Sequence, residues 1–552
     1  MSTVYLNFQN PTFPSESSVG PNNPLPVEVR AYNDAGFATG LATTAEGHLE
    51  VSVHGPRLPF GSIHAESMTP IFQTDAVYGI NSGQVATTTS GTGSATAANS
   101  LFSVSTGTTA LSQGVILGRK RLRYRPGQGV IGRFTARFTS PVTYSYQVIG
   151  FGHSEDGVYM AYREATGPGY TGVAPAFGIL YINRAHREVR TLTVTTGSST
   201  TENVTVTLNT VAFSVAVTNS GNIQRTVWEI SQGTYAGWDA YPAGATVVFV
   251  KKSANPASGT YTLAGSTAVG TFAQTRAGAV GTETFIPQST WNGDKLDGTG
   301  ASGVTIDPTK GNVFEIQIQY LGFGAIIFKC EVVPPGGNNA DFVVIHTMKL
   351  PNTLTATSFG NPSFPFTMAA YSAGSTTNLT VSAGSFAGFI EGPKVLHGNR
   401  FTYFNSLTTV GASNFQALFT VANTRYYGGQ ASQVVINLLS ISGALKHTSP
   451  CIFYLIKNGS LAGNPNFVSL ASNSGSLWDT SATTVTYSTG DQLLWTGHLG
   501  DTGEIDHHFG GTSELNMEEL TLQPGDWVTL AAKAITGTPS YVTGSMNTRE
   551  DQ

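Results

Sequence analysis

The chain has 552 residues, of which only 28 are Lys or Arg and 33 Asp or Glu, giving a net charge of −5. That charged content, 11 %, is well below the roughly 25 % of ordinary soluble domains, while 40 % of residues are hydrophobic and 64 are glycine. Disordered acidic chains need more charge and fewer apolar residues, a bulk-charge nucleic-acid binder would be basic, and the glycines have no collagen period. What remains is a large β-rich protein whose surface uses Thr, Ser and Asn in place of Lys and Glu.

At ~150 residues per domain the length implies three or four domains, each with its own core. The first residues, Met1 to Asn10, lack a basic n-region and an apolar h-region, so no signal peptide is expected. The longest apolar stretch, Leu321 to Phe328, is too short for a helix that spans a bilayer, so membrane insertion is not expected, and the slightly acidic balance argues against a nucleic-acid partner. Cys330 and Cys451 read as buried thiols, with a single bridge between them left open.

In chain order, residues 1–80 are punctuated by prolines and read as an extended N-terminal docking arm. Its apolar residues Phe60, Ile63, Ile71, Phe72 and Tyr78 would bury against another surface. Residues 81–114 are small and polar and read as a connector. From 115 the pattern alternates with period two, most clearly in Val130–Phe138 and Val313–Tyr320, so 115–194 plus 276–392 is expected to form a β-sandwich. Between these halves, 195–275 reads as an inserted ββαββ module: a hairpin around Asn209, apolar residues at 223, 227 and 230 with helical spacing, then two strands. A second β-sandwich is expected over 393–552. The predicted fold class is therefore all-β: tandem jelly-roll-like sandwiches, a small insertion and an extended arm.

No catalytic constellation emerges. There is no Gly-Lys dipeptide for a P-loop and no His-Glu pair for a zinc helix. Gly152-His-Ser-Glu-Asp-Gly157 holds triad residue types, but neighbours on one turn cannot form a nucleophile–base–orienter line. The acidic and imidazole run Asp501, Glu504, Asp506, His507 and His508 is either a divalent-cation site or a solvated loop at a subunit interface. No other cofactor is expected. Trp291, Trp478 and Trp495, with Trp238, lie near Gly/Asn/Asp loops, where tryptophan either stacks on sugars or belongs to the core.

The most specific charge feature is Arg119-Lys-Arg-Leu-Arg-Tyr-Arg125. On a strand, Arg119, Arg121, Arg123 and Arg125 share one face and repel each other unless carboxylates or anions stand opposite. Two readings stay open: an anionic partner surface, or an ion-pair ladder to carboxylates of the same domain.

The segments Trp291-Asn-Gly-Asp-Lys-Leu-Asp-Gly-Thr-Gly300, Ile306–Gly324, Asn361-Pro-Ser-Phe-Pro-Phe366 and Phe389-Ile-Glu-Gly392, with His54–His64 in the arm, resemble bacteriophage virion structural proteins of the tail-fibre or head-decoration type. The resemblance covers roughly residues 50–392. It implies lectin-like sandwich domains, a virion location and self-assembly, and it carries over no catalytic residues; the preferred expectation adds a homotrimer in contact with other virion proteins. The resulting expectation is a non-enzymatic fibre, spike or decoration anchored by its arm, with a role in host attachment. The alternatives are an adhesin that binds a host surface glycan and, behind it, a depolymerase.

Overall fold

The computed structural model describes residues 30–32, 38–40, 68–163, 174–337, 340–392, 398–446, 449–488, 491–500, 502–509, 520–537 and 541–551. The chain divides into two units, Met1–Glu66 and Ser67–Gln552. Within the first unit the described residues are two short antiparallel strands, Arg30–Tyr32 and Ala38–Gly40. Most of the expected arm, including Phe60 and Ile63, lies outside the described residues. Among the described residues of the second unit, every strand pair is antiparallel and there is one α-helix.

Two sheets form the first sandwich. One has seven strands in the order Thr282–Pro287, Ala176–Asn183, Gly157–Arg163, Ser145–Gly152, Phe364–Ser372, Gln113–Leu122 and Val85–Ser90. The other has six: Asp341–Met348, Ile326–Val332, Asn312–Ile318, Val130–Ala136, Ser385–Glu391 and Met68–Asp75. Strands from the two ends of the segment pair directly, as in Val130↔Ile390 and Gln113↔Tyr371, so the chain closes on itself in the jelly-roll-like manner. The period-two pattern explains the layers. Phe134 and Ala136 point inward while Arg133 and Thr135 point out, and Phe314 and Ile316 alternate with Glu315 and Gln317. Inside, Phe134 meets Phe151, Phe314 and Phe366 at centroid distances of 5.7, 5.8 and 6.1 Å, and Phe366 stacks on Phe386 at 3.8 Å. Gly132 makes room for this packing, since a Cβ there would lie 2.0 Å from the Phe151 ring.

The connector expected at 81–114 is a correction. It carries the strands Val85–Ser90, Ser94–Ala98 and Leu101–Ser105. Phe102 and Val104 alternate inward and are fully buried in the sandwich core, while Ser94 and Ser105 exchange a hydrogen bond at 2.8 Å. The arm is corrected too where it is described. Met68–Asp75 pairs with Ser385–Glu391, and Phe72 packs against Phe386 and Phe151 of its own sandwich. Ile71 is half-buried beside that core, whereas Tyr78 in the following loop is 99 % exposed.

The inserted module has a four-stranded sheet (Trp238–Ala243, Thr246–Lys251, Val189–Thr196, Val269–Arg276), a three-stranded sheet (Val211–Val217, Glu202–Leu208, Thr262–Ala264) and the helix Ile223–Ser231. Asn222 caps the helix by accepting the Arg225 N–H at 2.9 Å, and Val227 and Ile230 bury against Tyr235 and Phe249. Strand Thr191–Val194, assigned by alternation to the sandwich, instead lies within the module, between Thr246–Lys251 and Val269–Arg276. Alternation marks a half-buried strand but not which sheet it joins.

The C-terminal sandwich packs a sheet of Asn399–Leu407, Val542–Asp551, Val435–Lys446 and Thr502–His508, extended by Thr521–Leu522, on a second sheet. That second sheet runs Ser460–Gly463, Ala482–Thr486, Phe415–Asn423, Trp527–Ala534, Cys451–Lys457 and Gln492–Leu499. Its core includes Phe419, Ile436, Leu455, Leu530 and Met546. Cys330 and Cys451 are free, buried thiols in separate cores.

The reassignment of 81–114 has a direct consequence. Phe102→Ala should cost about 3–5 kcal/mol of unfolding free energy, measured by denaturant titration. A change below about 0.5 kcal/mol, the scale of a surface substitution, would return the segment to a connector.

Candidate functional site: an arginine seam between three β units

The basic run sits at the end of strand Gln113–Leu122 and in the three residues after it. In that strand Ile116 and Leu122 face the sandwich core. A register shift between Pro365 and Thr367 of the neighbouring strand marks the level at which the arginines begin. All four arginines turn toward the C-terminal sandwich. Arg119 donates from Nε to the Ser82 carbonyl and lies 3.8 Å from Asp526. Arg121 donates from Nε to Gln433 Oε1 at 2.5 Å, and from Nη1 to Gln523 Oε1 at 2.6 Å and the Arg119 carbonyl at 3.2 Å. Arg123 donates to the Asp551 carbonyl at 2.7 Å and to the Gln433 carbonyl, with the Asp551 carboxylate 3.5 Å away. Arg125 pairs with the same Asp551 carboxylate.

These contacts decide between the two readings of the run. The groups opposite are carboxylates and amides of this chain, but they belong to the other sandwich, not to the arginines' own domain. Burial sets the electrostatics. It lowers Arg121 to about 9, with Arg123 adding to the effect and Asp526 opposing it, so the guanidinium remains charged at neutral pH. Burial also lowers Arg123, against the pull of Asp551. For Asp526 burial acts upward, yet Lys457, 2.8 Å away, and Arg119 outweigh it and hold the carboxyl below its usual range.

The inserted module joins at the same place. Glu155, on the turn between strands Ser145–Gly152 and Gly157–Arg163, accepts from Arg276 at 3.0 Å, from the Arg187 N–H at 2.8 Å and from the Ala431 N–H at 3.5 Å. One carboxylate thus touches the first sandwich, the module and the C-terminal sandwich. Arg187 also lies 3.5 Å from Asp239, which Arg425 approaches at 3.9 Å. On the module's other flank Trp228 leaves the helix, stacks on Phe467 at 5.8 Å and meets Trp527 edge-on at 6.0 Å. Ile456, Leu461 and Ala531 enclose it.

His153 lies on the same turn as Glu155. Its Nδ1 accepts the Glu155 N–H at 3.2 Å, and its Nε2 is enclosed without a hydrogen-bond partner. Burial drives its pKa down to about 4; Asp156 and the backbone of Asn361 favour the charged ring, while Arg121 and Arg187 oppose it.

The other anticipated residues fall elsewhere. Trp291 is a core residue, 2 % exposed, packed on Phe177 at 6.0 Å with its indole N–H on the Ile286 carbonyl at 3.3 Å; this corrects its reading as a sugar platform. Trp238 is likewise buried. Trp478 is half-buried beside Tyr403 at 6.1 Å. Trp495 is half-buried on an edge strand and stacks on His507 at 5.7 Å. Asp501 lies outside the described residues. Glu504, Asp506 and His508 alternate with His507 along strand Thr502–His508, which puts His507 on the opposite face from the other three. Asp506 and His508 are 3.2 Å apart and exposed, and among the described residues no three His, Cys, Asp or Glu side chains group closely enough to hold a metal. The sequence reading missed Asp551, Asp526, Glu155, Gln433, Gln523 and Trp228. The one signal for them is Trp228, an aromatic one position off the helix's buried stripe.

No family model matches the chain, and no curated protein matches it. Among solved structures, one described as a triple jelly roll fold and turret assembly in an archaeal virus is 9 % identical, covers 85 % of this chain and 90 % of its own, and has a TM-score of 0.17. The Faustovirus major capsid protein is 8 % identical, covers 90 % and 92 %, and has a TM-score of 0.09. At such scores neither likeness bears on fold or role.

Two outcomes follow from the seam. Asp551→Ala leaves Arg123 and Arg125 without their shared carboxylate and should cost about 3 kcal/mol. In calorimetry the C-terminal sandwich should then melt separately, whereas an unchanged single transition would show the pair to be dispensable. For His153 the folded pKa is depressed below the ordinary 6.5, so the unfolded chain takes up the proton first as pH falls. Its contribution to stability is complete above about pH 6.5 and is lost progressively toward pH 4. His153→Phe should flatten the fall in melting temperature across that window, and an identical slope in wild type and variant would contradict this.

Proposed function

We propose that this chain is a structural subunit of a virus particle, non-enzymatic, working as a homotrimeric fibre, spike or decoration in contact with other virion proteins. The observation that carries the reading is the seam. Domains in one chain ordinarily move relative to each other unless their interface is extensive. Here buried guanidinium groups, a shared carboxylate and a stacked tryptophan tie two sandwiches and a module into one compact unit from Ser67 to Gln552. A shell or fibre subunit that transmits force needs such a block. The low charge fits a surface that meets copies of itself. The consecutive exposed residues Val77 and Tyr78, with Ile80 beside them, offer an apolar contact point next to the seam. No helix among the described residues is long and apolar enough to cross a membrane.

A second reading, a host-glycan contact, is favoured by Trp495, a half-exposed ring backed by His507 on a sheet edge. Trp495→Ala would abolish binding on a glycan array if that contact operates.

Native mass spectrometry of the purified chain should give a trimer, and antibody raised against it should label intact particles in electron micrographs. A monomer would remove the homotrimer, and label confined to soluble host protein would remove the virion role altogether.

A further inference from the structure

The C-terminal sheet of Asn399–Leu407, Val542–Asp551, Val435–Lys446 and Thr502–His508 turns Tyr403, Met546 and Ile441 into its core, so the residues between them form an outer face. The pairing register lays that face out as a grid. Across the two middle strands Thr402 is level with His508, Phe404 with Asp506 and Ser406 with Glu504, and Arg400 stands one step beyond Thr402. The middle is small and polar and satisfies itself. Thr402 donates to Asn547 at 2.7 Å, Asn547 to Ser440 at 2.9 Å, and Ser442 and Ser545 share a bond of 2.7 Å.

Three residues break this pattern. Phe404 is 70 % exposed although it stands on a strand. Arg400 and Glu504 are both exposed, and neither side chain has a hydrogen bond or ion pair with a described residue. The charges around them are engaged. Arg549, directly across from Arg400, has a partner within the chain, Asp506 pairs with His508 at 3.2 Å, and Lys446 lies over the Tyr541 ring at 5.8 Å.

With strands ~4.8 Å apart and alternate residues ~6.8 Å apart, Arg400 and Glu504 occupy opposite corners of the grid, about 25 Å from each other. The line that bisects them at right angles passes within about 2 Å of Phe404. A two-fold axis along that line lays the same face of a second copy on this one. Arg400 then meets the partner's Glu504, Glu504 meets the partner's Arg400, and Phe404 meets its own counterpart. An isologous contact requires this self-complementarity, and an unrelated partner would not.

We propose that this face is a two-fold contact between copies of the chain, with Phe404 as its anchor and the two Arg400–Glu504 pairs fixing its orientation. It goes beyond the trimer reading, whose axis is three-fold, and joins one assembly to the next. The face measures about 14 by 20 Å, small beside the ~800 Å² per partner of a standard interface, so the contact is weak in solution.

Sedimentation velocity of the full chain at low salt tests it. The species present at low concentration should double in mass as concentration rises, and added salt should oppose the doubling. Arg400→Glu and Glu504→Arg should each weaken the doubling about tenfold, since the two-fold axis repeats every substituted pair. The double exchange, Arg400→Glu with Glu504→Arg, should restore it. Phe404→Ser should weaken it without altering the low-concentration species. No doubling in wild type, equal doubling in the single variants, or a double exchange that restores nothing would each overturn the proposal. The doubling is counted from whatever species is present at low concentration. Loss of the trimer therefore leaves this test intact, and loss of the doubling leaves the trimer standing.

Discussion

A guanidinium withdrawn from water must find acceptors for five N–H groups and an answer to its charge, and it can rarely do so within one thin sheet. Arg119, Arg121, Arg123 and Arg125 face this requirement together, at the end of a strand whose other face is sandwich core. Apart from the Ser82 and Arg119 carbonyls, their partners are Asp526, Asp551, Gln433 and Gln523, all in the C-terminal sandwich. The placement of the second sandwich on the first depends on this demand. A buried ion pair adds little net stability over an apolar contact, but it strongly penalises every other arrangement of the partners. The run therefore works chiefly as a device of register.

The aromatic side of the junction complements it. Trp228 fills a site between Phe467 and Trp527 and supplies the non-directional burial that charged groups lack. Glu155 then joins the three units at one point. Charge is scarce across this chain because the surfaces are Thr, Ser and Gly faces. About a fifth of the 61 charged residues meet in the seam.

How far the sequence shows this is uneven, for physical reasons. The tandem sandwiches and the helix at 223–231 are legible because period-two and period-3.6 patterns report burial directly. The arginine run is legible as a charge problem, since four like charges on one face require compensation. Its solution is hidden because Asp551 lies more than 400 residues away, and nothing local marks it. The stretch 81–114 misleads since Ser, Thr and Ala score as linker by composition, although Phe102 and Val104 alternate among them. Trp291 shows a complementary failure. Proximity to a Gly/Asn/Asp loop suggests a sugar platform, yet the ring turns inward to Phe177.

The central claim is that the seam makes one cooperative body of three β units. Native-state hydrogen exchange under rising denaturant tests it most directly, by following core amides such as those of Phe151, Phe249 and Leu455, one from each unit. The account predicts that their opening free energies converge on a single global value with a common denaturant dependence. If the Leu455 amide instead opened through a separate, lower-energy event while Phe151 stayed protected, the sandwiches would be independent domains and the claim would fail.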